Sequence, residues 1–254
     1  MEWIDELARQ VRRRSDPWVV LEGRHAVEGA IGGWWDVKGI LASEDCEWTP
    51  PIWSGLELTR IERAKLEEIA GYQFHRGVLG LAKLPEERAD VAGLMEELPD
   101  DAMVVVCPSL SDAANAGAIV RNAAALGAHA VIFGEEGVSP YERKSVRASS
   151  GALFRIPIRV ADGGQVLRCL KAAKFVVLGA DGSEGAEPCE GRDWEEGRIA
   201  LAIGREDEGL SSFWKMACDA RLRIPMASGM DSLNAAAASA VMLWEMKQGR
   251  RVED

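Results

Sequence analysis

"RIPMASGMDSLNAAAASAVMLWEM", residues 223–246, joins three textures in one stretch. An apolar strand, read over Leu222 to Met226, meets a glycine loop, and the loop delivers an alanine-rich helix expected over about 232–248. Ser232 and Asn234 stand at the start of that helix, with Asp231 just before them. All three are capping-type residues, and one cap needs only one of them. The small residues that follow allow close packing, against a neighbouring loop or a second subunit.

Upstream, the chain alternates strand and helix. Apolar runs at 102–108, 128–134, 175–181 and 198–204 read as strands, and 116–127, 164–174 and 210–218 read as helices. "AMVVVCP" (102–108) is apolar throughout, as in a strand covered on both faces. The alternation predicts a mostly parallel sheet with helices on both faces. In such sheets ligands bind beyond the C-terminal ends of the strands.

Residues 1–84 differ in texture. They are rich in tryptophan (Trp3, Trp18, Trp34, Trp35, Trp48, Trp53), with helices expected at 2–14, 24–33 and 61–70 and strands at 17–23, 37–43 and 77–83. A small α/β domain is expected there, its tryptophans mostly packed in a core or interface. The acidic stretch 85–101 reads as a linker, and 102–254 as the second domain.

The chain has 254 residues, 47% hydrophobic, enough for a packed core. No apolar run approaches the roughly 20 residues that cross a bilayer, and the charged N-terminus is no secretory signal, so a cytoplasmic protein without membrane contact is expected. The five cysteines and three histidines are scattered with no C-x-x-C pair, which predicts reduced thiols and no metal site. The net charge of −11 argues against a general polyanion binder, so any nucleic acid would have to meet a local basic patch.

Three loops after strands carry the candidate chemistry. In "PSLSDAANAGAIVRNAAALG" (108–127), Asn115 reads as a helix cap, and Arg121 stands inside an alanine-rich helix. In "IGREDEGLSSFW" (203–214), glycines bracket an acidic turn that would repel phosphate and suit a ligand carrying positive charge or hydroxyls. The third is the opening stretch, with Ser232 and Asn234. No G-x-G-x-x-G follows the first strand of the sheet, which counts against an ordinary dinucleotide-binding enzyme.

Taken in order, "NAGAIVRNAAALG" (115–127), "RASSGALFRIP" (147–157), "LAIGREDEGLS" (201–211) and "IPMASGMDSLNAAAASAVMLWE" (224–245) resemble the SpoU/TrmH-type RNA ribose 2′-O-methyltransferases of the SPOUT class. "LEGRHAVEGAI" (21–31) and "HRGVLGLA" (75–82) resemble, more weakly, the small ribosomal-protein-like RNA-binding domain that many members carry. The resemblance implies a C-terminal parallel-sheet domain with a trefoil knot, S-adenosylmethionine as cofactor, a homodimer, and RNA as substrate, rRNA rather than tRNA. It implies that Ile203, Gly204, Glu206, Ile224, Met226 and Leu233 line the cofactor pocket. Arg121 is expected to be central to catalysis, with Asn115, Ser232 and Asn234 orienting the reacting groups. RNA contacts are expected from Arg143, Lys144, Arg147 and Arg155, and from Arg12, Arg13, Arg14 and Arg24. The chain departs from the family pattern at Arg205, Asp207 and Ala236, which leaves a catalytically silent RNA-binding protein as the alternative.

Overall fold

The computed structural model describes residues 2–33, 35–73, 77–191, 194, 197–227 and 232–249. The N-terminal part contains α1 (Glu2–Arg12), β1 (Trp18–Glu22), α2 (Arg24–Gly32), β2 (Val37–Ser43), β3 (Leu58–Ile61), α3 (Arg63–Ala70) and β4 (Val78–Lys83). Its four strands lie in the order β1-β4-β2-β3, with β4 antiparallel to both neighbours and β3 parallel to β2. Side chains alternate across this sheet. Leu41, Leu79 and Leu81 point to Leu7 of α1 and Leu66 of α3, while Ile40, Val78 and Ala82 join α2 and the second domain. The strand β3 carries no clear sequence signal, because "LTRI" is short and half exposed.

The second part contains α4 (Val91–Glu97), β5 (Met103–Cys107), α5 (Ala113–Leu126), β6 (Ala130–Gly134), α6 (Arg143–Ala148), β7 (Ile158–Ala161), α7 (Gly163–Ala172), β8 (Val176–Ala180), β9 (Glu187–Pro188), β10 (Ile199–Ile203), α8 (Ser212–Ala217), β11 (Ala220–Arg223) and α9 (Ala235–Gly249). Seven parallel strands run in the order β7-β6-β5-β10-β8-β11-β9. Every residue of β5, β6 and β10 is buried, which explains their continuous apolar runs. Met103, Val105 and Cys107 face a core shared with α5 and α9, while Val104 and Val106 face α4, α7 and α8. Chain order reverses between β5 and β10, where an α/β sheet opens a crevice at its carboxyl edge.

Several boundaries move for physical reasons. α5 begins three residues early, because Asp112 caps it by accepting from Ala114 N and Asn115 N (2.5 and 3.4 Å); Asn115 is therefore not the cap. β11 ends at Arg223, before Pro225, which has no N–H to give a ladder. The acidic stretch 85–101 is not an open linker: Val91, Leu94, Met95 and Leu98 are buried against the second sheet.

The two parts share a seam. Glu22 is 1% exposed and accepts from Arg143 Nε (3.2 Å) and Arg147 Nη1 (3.3 Å) of α6, with Tyr72 OH as a third partner. A Cβ on Gly29 would lie 2.6 Å from Gly151 O, so backbone rides on backbone there. Gly151 itself has φ 86°, a left-handed conformation that suits glycine. Trp35 meets Phe154 edge to face at 4.8 Å across the same seam. Trp34 lies outside the described residues.

Candidate active site

The three loops singled out in the sequence meet at the carboxyl edge of the sheet. Capping by Asp112 leaves the Asn115 side chain free on the first turn of α5. In the loop after β10, Arg205 and Gly209 exchange two backbone hydrogen bonds at 3.0 Å, closing a tight turn. A Cβ on Gly204 would collide with the backbone of Gly209 and Leu210, so glycine there serves the closure of its own loop rather than the approach of a ligand. That closure turns Glu206 inward, while Arg205 and Asp207 pair with each other (3.1 and 3.3 Å) at the rim. At the third loop Asn234 is the cap of α9: its Oδ1 accepts from Ala236 N (3.0 Å) and Ala237 N (3.3 Å). Ser232 stays exposed outside the helix, and Asp231 lies outside the described residues.

One chain of hydrogen bonds ties these loops together. Asn234 Nδ2 donates to Asn115 Oδ1 (3.0 Å), and Asn115 Nδ2 donates to Glu206 Oε1 (2.6 Å). Ser111 Oγ donates to Glu206 Oε2 (2.5 Å). The cap fixes the Asn234 amide, and each amide then fixes the next, so every group has one orientation. Burial alone would raise the Glu206 carboxyl, but the donors from Ser111 and Asn115 outweigh it and hold it below the usual glutamate value. Glu206 is therefore a fixed anion at the start of α5, linked to the cap of α9 through Asn115.

Beside this network lies a cleft of about 420 Å³. Ile203, Gly204, Glu206, Ile224, Met226 and Leu233, the six residues expected to hold a cofactor, all line it, as does Ser232. Leu222, Ile224 and Met242 give the lining apolar surface; Glu206, Asp207 and Glu208 bring carboxylates to it, the last two paired with Arg205 (3.1 and 3.7 Å). Asp181, Ser183 and Lys215 also reach it, and no motif in the sequence marks them. Their signal is positional: Asp181 immediately follows β8, at the carboxyl edge where ligands bind. The Asp181 carboxyl would be raised by burial, yet Ser183 and Arg221 together hold it low, and Lys215 lies 3.6 Å away. Ala236 does not line the cleft; its carbonyl accepts from Asn122 Nδ2 of α5 (2.8 Å), so a missing hydroxyl at this position takes nothing from the cleft wall.

Arg121 is not brought to this cleft within one chain. It follows Asn115 by six residues, about 9 Å along α5 and roughly a third of a turn away. It is exposed and lines a separate hollow with His25 and Arg155. Other expected RNA contacts are engaged internally. Arg143 and Arg147 clamp Glu22, Lys144 pairs with Asp112 (3.0 Å), Arg14 with Asp16 (2.8 Å) and Arg24 with Glu28 (2.8 Å). Arg12, Arg13 and Arg155 remain exposed. No group of three or more metal-ligating side chains gathers among the described residues, and no helix among them is long and apolar enough to cross a membrane.

Comparison with known proteins agrees with this architecture. A relative from Mycolicibacterium vanbaalenii, named as an uncharacterized tRNA/rRNA methyltransferase, is 34% identical over 205 residues, covering 78% of this chain and 63% of that protein. The chain thus spans about 63% of the length of the curated relatives it matches. The SpoU methyltransferase AviRb from Streptomyces viridochromogenes superposes with a TM-score of 0.85 at 26% identity, over 98% of both chains. The AviRb complex with AdoMet, at 24% identity and a TM-score of 0.80 over 96% of this chain and 97% of that one, shares the fold. An RNA 2′-O ribose methyltransferase superposes at 0.79 with 28% identity, over 98% of this chain and 96% of that one. Residues 102–244, more than half of the sequence, match the family model described as SpoU rRNA Methylase, and the chain belongs to the SpoU rRNA Methylase family.

Proposed function

We propose that this protein transfers a methyl group from S-adenosylmethionine to a ribose 2′-hydroxyl of structured RNA, rRNA rather than tRNA. The observation that carries the reading is the Ser111–Glu206–Asn115–Asn234 chain standing beside the cleft. The cleft suits the cofactor. Its volume falls in the range of about 300–1,000 Å³ typical of small-molecule sites. Its apolar lining suits a flat base, and the Glu206 carboxylate suits a sulfonium or an ammonium group.

When bound, S-adenosylmethionine supplies an electrophilic methyl group. The protein's own residues then hold and align. Ile224 and Leu233 flank the base, and Glu206 keeps Asn115 and Asn234 in register for the ribose. Alignment alone is worth up to roughly 7–11 kcal/mol of the barrier. Arg121 stays charged at neutral pH and cannot serve as a base; its fork suits a phosphate next to the reacting hydroxyl. The hydroxyl proton leaves to that phosphate or to solvent.

Because Arg121 stands away from the cleft of its own chain, the reading includes a homodimer in which it serves the partner's cleft. The outer face of α9 supports this, with Ala237, Val241 and Trp244 exposed at helical spacing. The trefoil threading belongs to the same reading; residues 228–231 lie outside those described.

The test incubates the purified protein with labelled S-adenosylmethionine and total rRNA or tRNA. Label mapped to a ribose is expected. Label on a base, or no binding of S-adenosylmethionine by calorimetry, would overturn the proposal. Arg121→Ala should abolish transfer and leave cofactor affinity intact; near-normal turnover would exclude its role.

A further inference from the structure

Asp181 follows β8 directly, and it lines the cleft midway along the sheet. The strand order β5-β10-β8-β11 sets three loops in a row: Glu206 lies after β10 on the β5 side, Asp181 after β8, and Ile224 after β11. Neighbouring strands stand about 4.8 Å apart, so the Asp181 loop is one strand from each of the others. Its place is fixed. Asp181 N donates to Leu222 O of β11 (2.9 Å) when the edge-side neighbour Asp181 Oδ2 accepts from Arg221 Nη1 (3.0 Å) of the same strand. Oδ1 accepts from Ser183 N (3.0 Å), and Lys215 Nζ of α8 lies 3.6 Å from it. Arg221 also donates to Ser183 Oγ (3.2 Å), which ties the turn 181–183 to β11. Burial would raise this carboxyl, but Ser183, Arg221 and Lys215 together hold it below the usual aspartate value. Ionised, it can only accept. A carboxylate offers about four acceptor sites, and Ser183 and Arg221 fill one on each oxygen.

We infer that Asp181 is a specificity-determining residue of the cleft, its remaining acceptor sites taking the two ribose hydroxyls of the cofactor's adenosyl group. The inference rests on the methyltransferase reading for the identity of the ligand. In S-adenosylmethionine the ribose stands between the sulfonium and the base. The loops present matching chemistry in the same order: a carboxylate at Glu206, an acceptor pair at Asp181, and apolar surface at Ile224 and Leu233. A cis-diol brings two adjacent O–H donors, which suits one open site on each carboxylate oxygen. Hydrogen bonds to a charged acceptor are the stronger kind. A ligand lacking the hydroxyls covers the carboxylate without bonding it, and a polar site rejects such analogues for that reason. Arg221 and Lys215 place two positive charges beside one negative, so the carboxylate stays ionised in the cleft.

The experiment uses the intact protein and calorimetry. It compares the affinities of 5′-methylthioadenosine and of its 2′,3′-dideoxy counterpart for wild type, Asp181→Asn and Asp181→Ala, each checked for folding by thermal unfolding. Wild type is expected to prefer the diol-bearing ligand by about tenfold or more, as hydrogen bonds to a charged group allow. Asp181→Asn keeps a neutral amide and should reduce the preference to about threefold, and Asp181→Ala should abolish it. Wild type that binds both nucleosides equally, or neither, would overturn the inference even where a variant does not fold. So would an equal loss of affinity for both ligands in Asp181→Asn, the mark of a carboxylate that only braces the turn 181–183. A diol preference that depends on Asp181, in a protein that transfers no methyl group from S-adenosylmethionine to RNA, would uphold the inference and sink the methyltransferase reading alone. Methyl transfer by a protein blind to the diol would do the reverse.

Discussion

Asn234 does two jobs with two atoms, and a pair of substitutions separates them. Its Oδ1 caps α9, and its Nδ2 donates to Asn115. Asn234→Ala removes both, costing about 1 kcal/mol for the cap, within a range of about 0.5–2. The missing bond to Asn115 adds roughly 0.5 kcal/mol at this exposed position. For a protein of this size, about 1.5 kcal/mol lowers the melting temperature by roughly 3–6 °C. Asn234→Asp keeps an oxygen for the cap and gains about 0.3–1 kcal/mol from a negative charge at a helix N-terminus. Against that stands repulsion from Glu206, about 0.7 kcal/mol for charges near 6 Å apart in water. The two nearly cancel, so Asn234→Asp should melt within about 2 °C of wild type. The introduced carboxylate has no proton to give Asn115, so the amide chain breaks and methyl transfer should fall in both variants. Thermal unfolding and transfer assays on the same preparations check this. Full turnover by Asn234→Asp, or wild-type stability in Asn234→Ala, would refute the double role.

Gly204→Ala should open the Arg205–Gly209 turn at a cost of about 1–3 kcal/mol and weaken cofactor binding with it, read together by thermal unfolding and calorimetry; a variant with unchanged stability would show that the turn tolerates a Cβ. Glu22→Gln should cost about 2 kcal/mol, because the arginines it holds are only partly buried and can turn to water, and lower the melting temperature by about 4–8 °C. The Glu206 carboxyl is held below its ordinary value of 4.5 in the folded chain, so its ionised form favours folding. That contribution is complete above about pH 4.5 and is lost as pH falls through the lower folded value. The stability gap between wild type and Glu206→Gln, measured by denaturant titration, should therefore hold from neutral pH to about pH 5 and narrow in stronger acid.

The parallel sheet was legible because buried strands such as Met103–Cys107 and Ile199–Ile203 carry unbroken apolar runs between glycine-stopped helices. Six residues of the cleft wall were expected from the family resemblance alone, and they gather because the loops after β10 and β11 meet at the sheet's carboxyl edge. Other features were hidden for identifiable reasons. Asp112 and Asn115 are both good caps, and only the loop path selects between them. The arginines 143 and 147 look like a basic patch in sequence, but their partner Glu22 is more than a hundred residues away. Arg121 is the clearest case: its spacing from Asn115 already turns it away from the cleft, and only a second subunit would bring the two roles together.

The seam has a mechanical consequence. A hinge between the parts would have to strip Glu22 of its arginines and slide one peptide plane off another at Gly29 and Gly151. Swinging the parts apart is opposed at once by a buried charge losing its partners and by close backbone contact, so the two halves should come undone in a single cooperative transition.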